Sequence, residues 1–291
     1  MMLAMIKRAL LFMLIAAPGM SAAQTEAQVG TIIVAHGGDS LWNAQVIEAA
    51  RAARTGGPVE VSFLMGRAAS TTRFQDAVAR LEKSGLTEII VVPMLVSSHS
   101  GHFDQIRHLV GDSVQLSETM MHHLHMAGVH RPTTTARLRL VPAMDDAGHV
   151  ARVLTARALA LAPDARERAV TIVGHGPNSA EDYAAWMKNL RVVADAVKAQ
   201  GGFRDVRVEL VRDDAPAPVR AEAVLRVREL IDLQHQLTGK EVLVVPVLVS
   251  KGAVSRDKLP RDLAGTPIIY SGEPLLPHPE MVRWIEDSVR R

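Results

Sequence analysis

The sequence predicts an α/β protein of two tandem domains, each an open parallel sheet of about four strands flanked by helices. Three observations carry this expectation. Runs rich in Val, Ile and Leu, without polar alternation, recur along the chain, as strands buried on both faces of a parallel sheet require. Longer segments of helical periodicity separate them, the pattern of βαβ units. The chain also repeats itself. Thr31-Ile32-Ile33-Val34-Ala35-His36-Gly37 returns as Thr171-Ile172-Val173-Gly174-His175-Gly176, and Val91-Val92-Pro93-Met94-Leu95-Val96-Ser97 returns as Val244-Val245-Pro246-Val247-Leu248-Val249-Ser250. The order is the same in both halves and the period is domain-sized, so this is one unit used twice, not a solenoid.

In the first half, Thr31 to Ala35 reads as a strand, Trp42 to Arg54 as a helix and Val59 to Leu64 as a second strand. Thr71 to Ser84 reads as a helix stopped by Gly85. Ile89 to Val96 is a third strand, Leu138 to Val141 a fourth, and His149 to Leu161 a helix. The second half follows suit: strand Val170 to Val173, helix Ala180 to Gln200, strand Val206 to Val211, helix Val219 to Thr238, strand Glu241 to Val249, strand Pro267 to Tyr270 and helix Pro279 to Arg290. The join falls near Ala162-Pro163-Asp164, giving domains of residues 24–163 and 164–291. Aromatic residues make up only 3% of the chain, so both cores must be aliphatic.

Residues 1–23 read as a signal peptide, and the mature chain as exported or periplasmic. Lys7 and Arg8 precede a short apolar run, Ala9 to Ala17, and Ser21-Ala22-Ala23 offers small residues for cleavage before Gln24. The run is shorter than the roughly 20 residues a bilayer span takes. An uncleaved N-terminal anchor is the alternative; after cleavage no stable membrane span is expected. The formal net charge of +2, with no basic clustering, speaks against nucleic acid as a partner. With no cysteine in the chain, thiolate chemistry is excluded and a transition metal must be held by His, carboxylate, Met or water.

In open α/β sheets ligands bind beyond the carboxyl ends of the strands. His36 follows the first strand directly, and His99 and His102 follow the third, in Ser97-Ser98-His99-Ser100-Gly101-His102. Neighbouring strands would bring two such imidazoles together on one edge, where they could share a divalent metal. Gly37, Gly38 and Gly101 would let a flat ligand approach the backbone. Met120-Met121-His122-His123-Leu124-His125-Met126 lies in an insertion between the third and fourth strands. His122, His123, His125 and Met126 are candidate accessory metal ligands; the competing reading is a helix whose methionines pack inward and whose histidines face solvent. Asp145-Asp146 and Asp213-Asp214 read as turn residues. A serine nucleophile is disfavoured, because no Gly-x-Ser-x-Gly elbow occurs.

His36-Gly37, the Phe63-Leu64 strand, Val91 to Val96 and then Ser100-Gly101-His102 resemble, in this order, the CbiX/SirB family of class II tetrapyrrole chelatases. Pro277-His278-Pro279 before the last helix resembles the family's C-terminal segment. The resemblance implies a two-domain, lyase-class chelatase that inserts a divalent metal into a sirohydrochlorin-like tetrapyrrole. Co2+, Ni2+ or Fe2+ would be a substrate, and no organic cofactor is implied. The family histidines fall on His36 and on His102, with His99 competing for the second position. Arg67, Arg73 and Arg107 are candidate partners for the macrocycle carboxylates. The departures are three. Val254 stands roughly where the second half should carry its second histidine, which implies a complete site only in the first domain. Met65 stands where many members carry an acid. The signal peptide is unusual for a family that acts mostly in the cytoplasm. An exported, non-catalytic metal-binding or delivery protein on the same scaffold is the alternative.

Overall fold

The computed structural model describes residues 29–291; the segment read as a signal peptide lies outside the described residues. The strands are β1 (Val29–Ala35), β2 (Val59–Phe63), β3 (Glu88–Met94), β4 (Arg137–Leu140), β5 (Ala169–Gly174), β6 (Asp205–Leu210), β7 (Val242–Val247) and β8 (Ile268–Tyr270). They form two parallel four-stranded sheets with matching orders, β2-β1-β3-β4 and β6-β5-β7-β8. The expected α/β architecture and internal repeat are therefore both present. The central strands β1, β3, β5 and β7 are buried almost throughout, which accounts for their unbroken apolar character.

The helices are α1 (Ser40–Ala52), α2 (Gly66–Ala69), α3 (Phe74–Lys83), α4 (Gly101–Val110), α5 (Glu118–Ala127), α6 (Gly148–Leu159), α7 (Ala180–Gly201), α8 (Ala217–Thr238), α9 (Leu259–Asp262) and α10 (Pro279–Arg290). None of the described helices is long and apolar enough to cross a membrane. The two halves exchange their last helices. From the first half, α6 packs on α7 and β7; from the second, α10 packs on α1 and β3 as well as on α6. The buried face of α10 carries Met281, Trp284, Ile285 and Val289. One apolar core thus runs through both sheets. The seam is also polar: Arg152 Nε donates to Glu280 Oε2 at 2.6 Å, and His149 Nδ1 lies 3.0 Å from the same oxygen.

Register sets the position of the site. Ala35 pairs with Phe63 on one side and with Met94 on the other, so the chain leaves β1, β2 and β3 at the same edge. Gly174 pairs with Leu210 and Val247 in the same way. One part of this edge departs from the sequence expectation. Strand β3 ends at Met94, although Leu95 and Val96 remain buried and read as strand. After a short loop, α4 begins at Gly101, a helix the apolar pattern did not announce. Ser100 caps it by accepting from Phe103 N at 3.2 Å, an interaction worth about 1 kcal/mol. His102 consequently sits in the first turn of a helix, where its direction is fixed.

Candidate metal centre

His36 and His102 converge. Their rings meet edge to face with centroids 4.5 Å apart. Each ring is oriented by a partner that can only accept. His36 Nδ1–H donates to the Gly37 carbonyl at 2.7 Å, leaving Nε2 with the lone pair. For His102 the logic passes through the buried Gln105. Its amide nitrogen donates to the Met120 carbonyl at 2.6 Å, so its oxygen must face His102 Nδ1, 2.8 Å away. Nδ1 of His102 therefore carries the proton and Nε2 is again the free acceptor. This is the arrangement that metal-ligating histidines use, with one ring nitrogen held by the protein and the other left for the ion.

Both imidazoles are held neutral. Burial lowers the pKa of His36, assisted by the charge of nearby His175. Burial and then His36 lower His102 to about 4. Neutral imidazole is the ligating form, so at neutral pH the pair is ready for a cation without first losing a proton.

A third imidazole approaches from α5. The His123 ring stacks beside His102 with centroids 6.4 Å apart, and its Nδ1 is buried without a hydrogen-bond partner among the described residues. An unmatched buried polar atom costs about 1–3 kcal/mol. The other accessory candidates do not join it: His122, His125 and Met126 are exposed on the outer face of α5. His99 does not join the pair either. Its side chain is exposed, and its carbonyl accepts from Trp186 Nε1 at 2.6 Å, a bond between the halves. A sequence reading could not separate His99 from His102, because the start of α4, which takes in His102 and leaves His99 in the loop before it, was not visible.

The glycines serve the backbone more than a flat ligand. Gly37 has φ +96°, and a Cβ there would overlap the Met65 carbonyl oxygen. Gly101 admits the Met120 sulfur, which a Cβ would meet at 2.8 Å. A side chain there would force Met120 to move.

The pair opens into a cavity of about 920 Å3 between the two halves, at the upper end of the roughly 300–1,000 Å3 typical of small-molecule sites. The first half contributes His36, His102, Trp42 and Met120 to its walls; the second contributes His175, Asp213, Asp214 and Trp186. Arg256 to Asp39 at 2.6 Å and Ser250 Oγ to Gln45 Oε1 at 2.5 Å tie the halves together around it. Five carboxylates line it: Asp39, Asp104 and Asp213 are paired with Arg256, Arg107 and Lys258, while Asp182 and Asp214 face no Lys or Arg within ion-pair distance. Arg67, Arg73 and Arg107 do not line it. Arg73 pairs with Asp76 at 2.7 Å, and Arg107 with Asp104 at 3.2 Å.

Asp213 and Asp214 do occupy a turn, as expected, but they also face His175, which the sequence reading left without partners. His175 Nε2 lies 3.3 Å from Asp214 and 3.9 Å from Asp213. Burial opposes a charge on His175, yet the hydrogen bond and charge of Asp214 outweigh it and raise the pKa. The same hydrogen bond holds Asp214 at about 2. Asp145, by contrast, is structural: it accepts from the backbone and hydroxyl of Ser98 at 2.8 and 2.7 Å.

Comparison with known proteins yields a match of residues 30–161 to the family model CbiX, a stretch that contains His36, His102 and α5. Among solved structures the chain is similar to SirB from Bacillus subtilis with Fe3+, at 16% identity and a TM-score of 0.63, covering 90% of this chain and 94% of that one. It is similar to the sirohydrochlorin chelatase SirB from Bacillus subtilis subspecies spizizenii in complex with cobalt, at 15% identity, a TM-score of 0.59 and the same coverage. It is also similar to CbiX, described as the terminal enzyme of siroheme biosynthesis in denitrifying bacteria, at 19% identity, a TM-score of 0.51 and coverage of 90% and 98%. At these identities the likeness concerns the fold. No curated protein sequence matches the chain.

Proposed function

We propose that this protein, whose residues 30–161 match the CbiX family model, inserts a divalent metal ion into a sirohydrochlorin-like tetrapyrrole in the cavity between its halves. The observation that carries the reading is the convergence of His36 and His102, both with Nε2 unprotonated, on that cavity. Imidazole donors select borderline ions, so cobalt, nickel or iron in the divalent state is the substrate class.

Insertion breaks two pyrrole N–H bonds, forms metal–nitrogen bonds and releases two protons per ion. His36 and His102 hold the ion. With its pKa near 4, His102 is a poor proton acceptor at neutral pH. His175 is the wall's basic imidazole, kept so by Asp214. The carboxylates of Asp182 and Asp214, free of Lys or Arg partners, attract cations and disfavour the macrocycle's own carboxylates beside them.

These two carboxylates also favour a second reading, an exported metal-delivery protein that binds ions without metallating a macrocycle. Lys7 and Arg8, with the apolar run and small residues after them, support export in either case. Purified mature chain mixed with sirohydrochlorin and Co2+, Ni2+ or Fe2+ separates the two. Metal-dependent change in the macrocycle absorbance, lost in His36→Ala, supports insertion. Metal binding without that change supports delivery.

A further inference from the structure

The two halves carry complementary parts of a metal site. In the first half the chain after β2 runs beside the chain after β1, with Met65 N donating to the His36 carbonyl at 2.9 Å. In the second half the corresponding bond runs from Asp213 N to the His175 carbonyl, at 3.2 Å. Methionine therefore stands in one half where an acid stands in the other. Conversely, the first half has His102 in the turn after β3. The second half has there the segment Ala253 to Lys258, in which Val254 lines the cavity and no histidine occurs.

His175 keeps the orienting bond of His36. Its Nδ1–H donates to the Gly176 carbonyl at 2.8 Å, as His36 does to Gly37, and both glycines have positive φ. The retained bond turns Nε2 of His175 into the cavity. There it meets not a second imidazole but two carboxylates: one ligand atom each from His175, Asp213 and Asp214 lies within 4.8 Å of the others. Asp213 is preplaced, its side chain almost fully buried and held by Lys258 at 2.5 Å and Arg220 at 3.1 Å. Asp214 is exposed and has room to swing onto an ion.

We propose that His175, Asp213 and Asp214 form a second divalent-cation site, contributed by the second half to the cavity that His36 and His102 also line. One imidazole and two carboxylates make it the harder of the two sites, suited to Mn2+, Fe2+ or Co2+ rather than to soft ions. Its occupancy stands independently of macrocycle chemistry. Naming its ion as the waiting substrate rests on the chelatase reading.

The test is the Co2+ stoichiometry of the full mature chain, by calorimetric titration and visible absorption, in four proteins: wild type, the double variant His36→Ala/His102→Ala, His175→Ala and Asp214→Asn. The expected result is two equivalents in wild type and one in each of the double variant and His175→Ala, with Asp214→Asn weakening one equivalent about tenfold or more. Asp214 is exposed, so its asparagine variant reads the site even if His175→Ala fails to fold. A single equivalent that is lost in the double variant and untouched by His175→Ala and Asp214→Asn overturns the second site and leaves the chelatase reading standing. A single equivalent lost in every variant means one composite centre and also overturns it. Binding that persists in the double variant and vanishes in His175→Ala upholds this site and removes the imidazole pair from the chelatase reading.

Discussion

His102 and Gln105 form a hydrogen-bonded pair within one helical turn, and the buried amide of Gln105 dictates which nitrogen of His102 faces the cavity. The amide is committed on its other side to the Met120 carbonyl, so it links α4, α5 and the metal-facing imidazole in one chain of bonds. Gln105→Leu keeps the volume and removes both bonds. The expected outcome is a fall in Co2+ affinity of about 10- to 100-fold, the range seen when the partner of a ligating histidine is lost. Calorimetric titration in a His175→Ala background isolates this pair. An affinity equal to the parent would show that packing alone orients His102.

Loss of the imidazoles themselves should be more severe. His36→Ala and His102→Ala are each expected to lower sirohydrochlorin metallation by at least about 10²-fold, the lower end of what one positioned acid–base or ligand group contributes. Both side chains stand at the cavity wall and are only partly buried, so neither change should prevent folding. Initial rates from macrocycle absorbance, with circular dichroism as the control for folding, check this. A variant that keeps more than half the parent rate would remove that residue from the site.

Protonation gives a signed prediction. His102 has a folded-state pKa of about 4 and His36 is shifted in the same direction, both below the usual value of 6.5. The unfolded chain therefore binds more protons than the folded one between those limits. The stability these groups contribute is present above pH 6.5 and is lost as pH falls through about 4. His175 is shifted upward, so its contribution is present below 6.5 and is lost as pH rises through its folded value. Thermal unfolding followed across this range should show His102→Ala less acid-sensitive than wild type, whereas Asp214→Asn should flatten the alkaline side. Co2+ binding to the His36–His102 pair should also persist well below pH 6.5, where an exposed histidine pair would already be protonated.

Much of this was legible in the residues, for physical reasons. Strands buried on both faces must be apolar throughout, so β1, β3, β5 and β7 announced themselves, and ligands gather at strand ends, so His36 and His102 did too. Three things could not be read. Leu95 and Val96 are buried in a loop, and burial alone makes them resemble strand; this hid α4 and left His99 competing with His102. The acidic pair Asp213-Asp214 has the composition of a turn and is in one, and only the neighbouring strand end reveals that its carboxylates face His175. The exchange of α6 and α10 was hidden because an amphipathic helix specifies that it must be covered, not by which sheet.

The methionine- and histidine-rich helix α5 provides the last prediction, because its residues divide by direction. The His123 ring stacks beside His102 and its Nδ1 is buried and unmatched, whereas His122 and His125 are exposed. If the segment collected ions by composition alone, each histidine would matter about equally. If geometry governs, only His123 would. His123→Ala is expected to weaken Co2+ binding at the His36–His102 pair by about tenfold, while His122→Ala and His125→Ala leave it within twofold. A leucine at this position fills the space and removes the orphaned polar atom, so His123→Leu should raise the unfolding temperature of the metal-free protein even as it lowers affinity. Opposite signs in stability and binding are the signature of a residue kept for its ligand, and a parallel loss of both would mark His123 as packing.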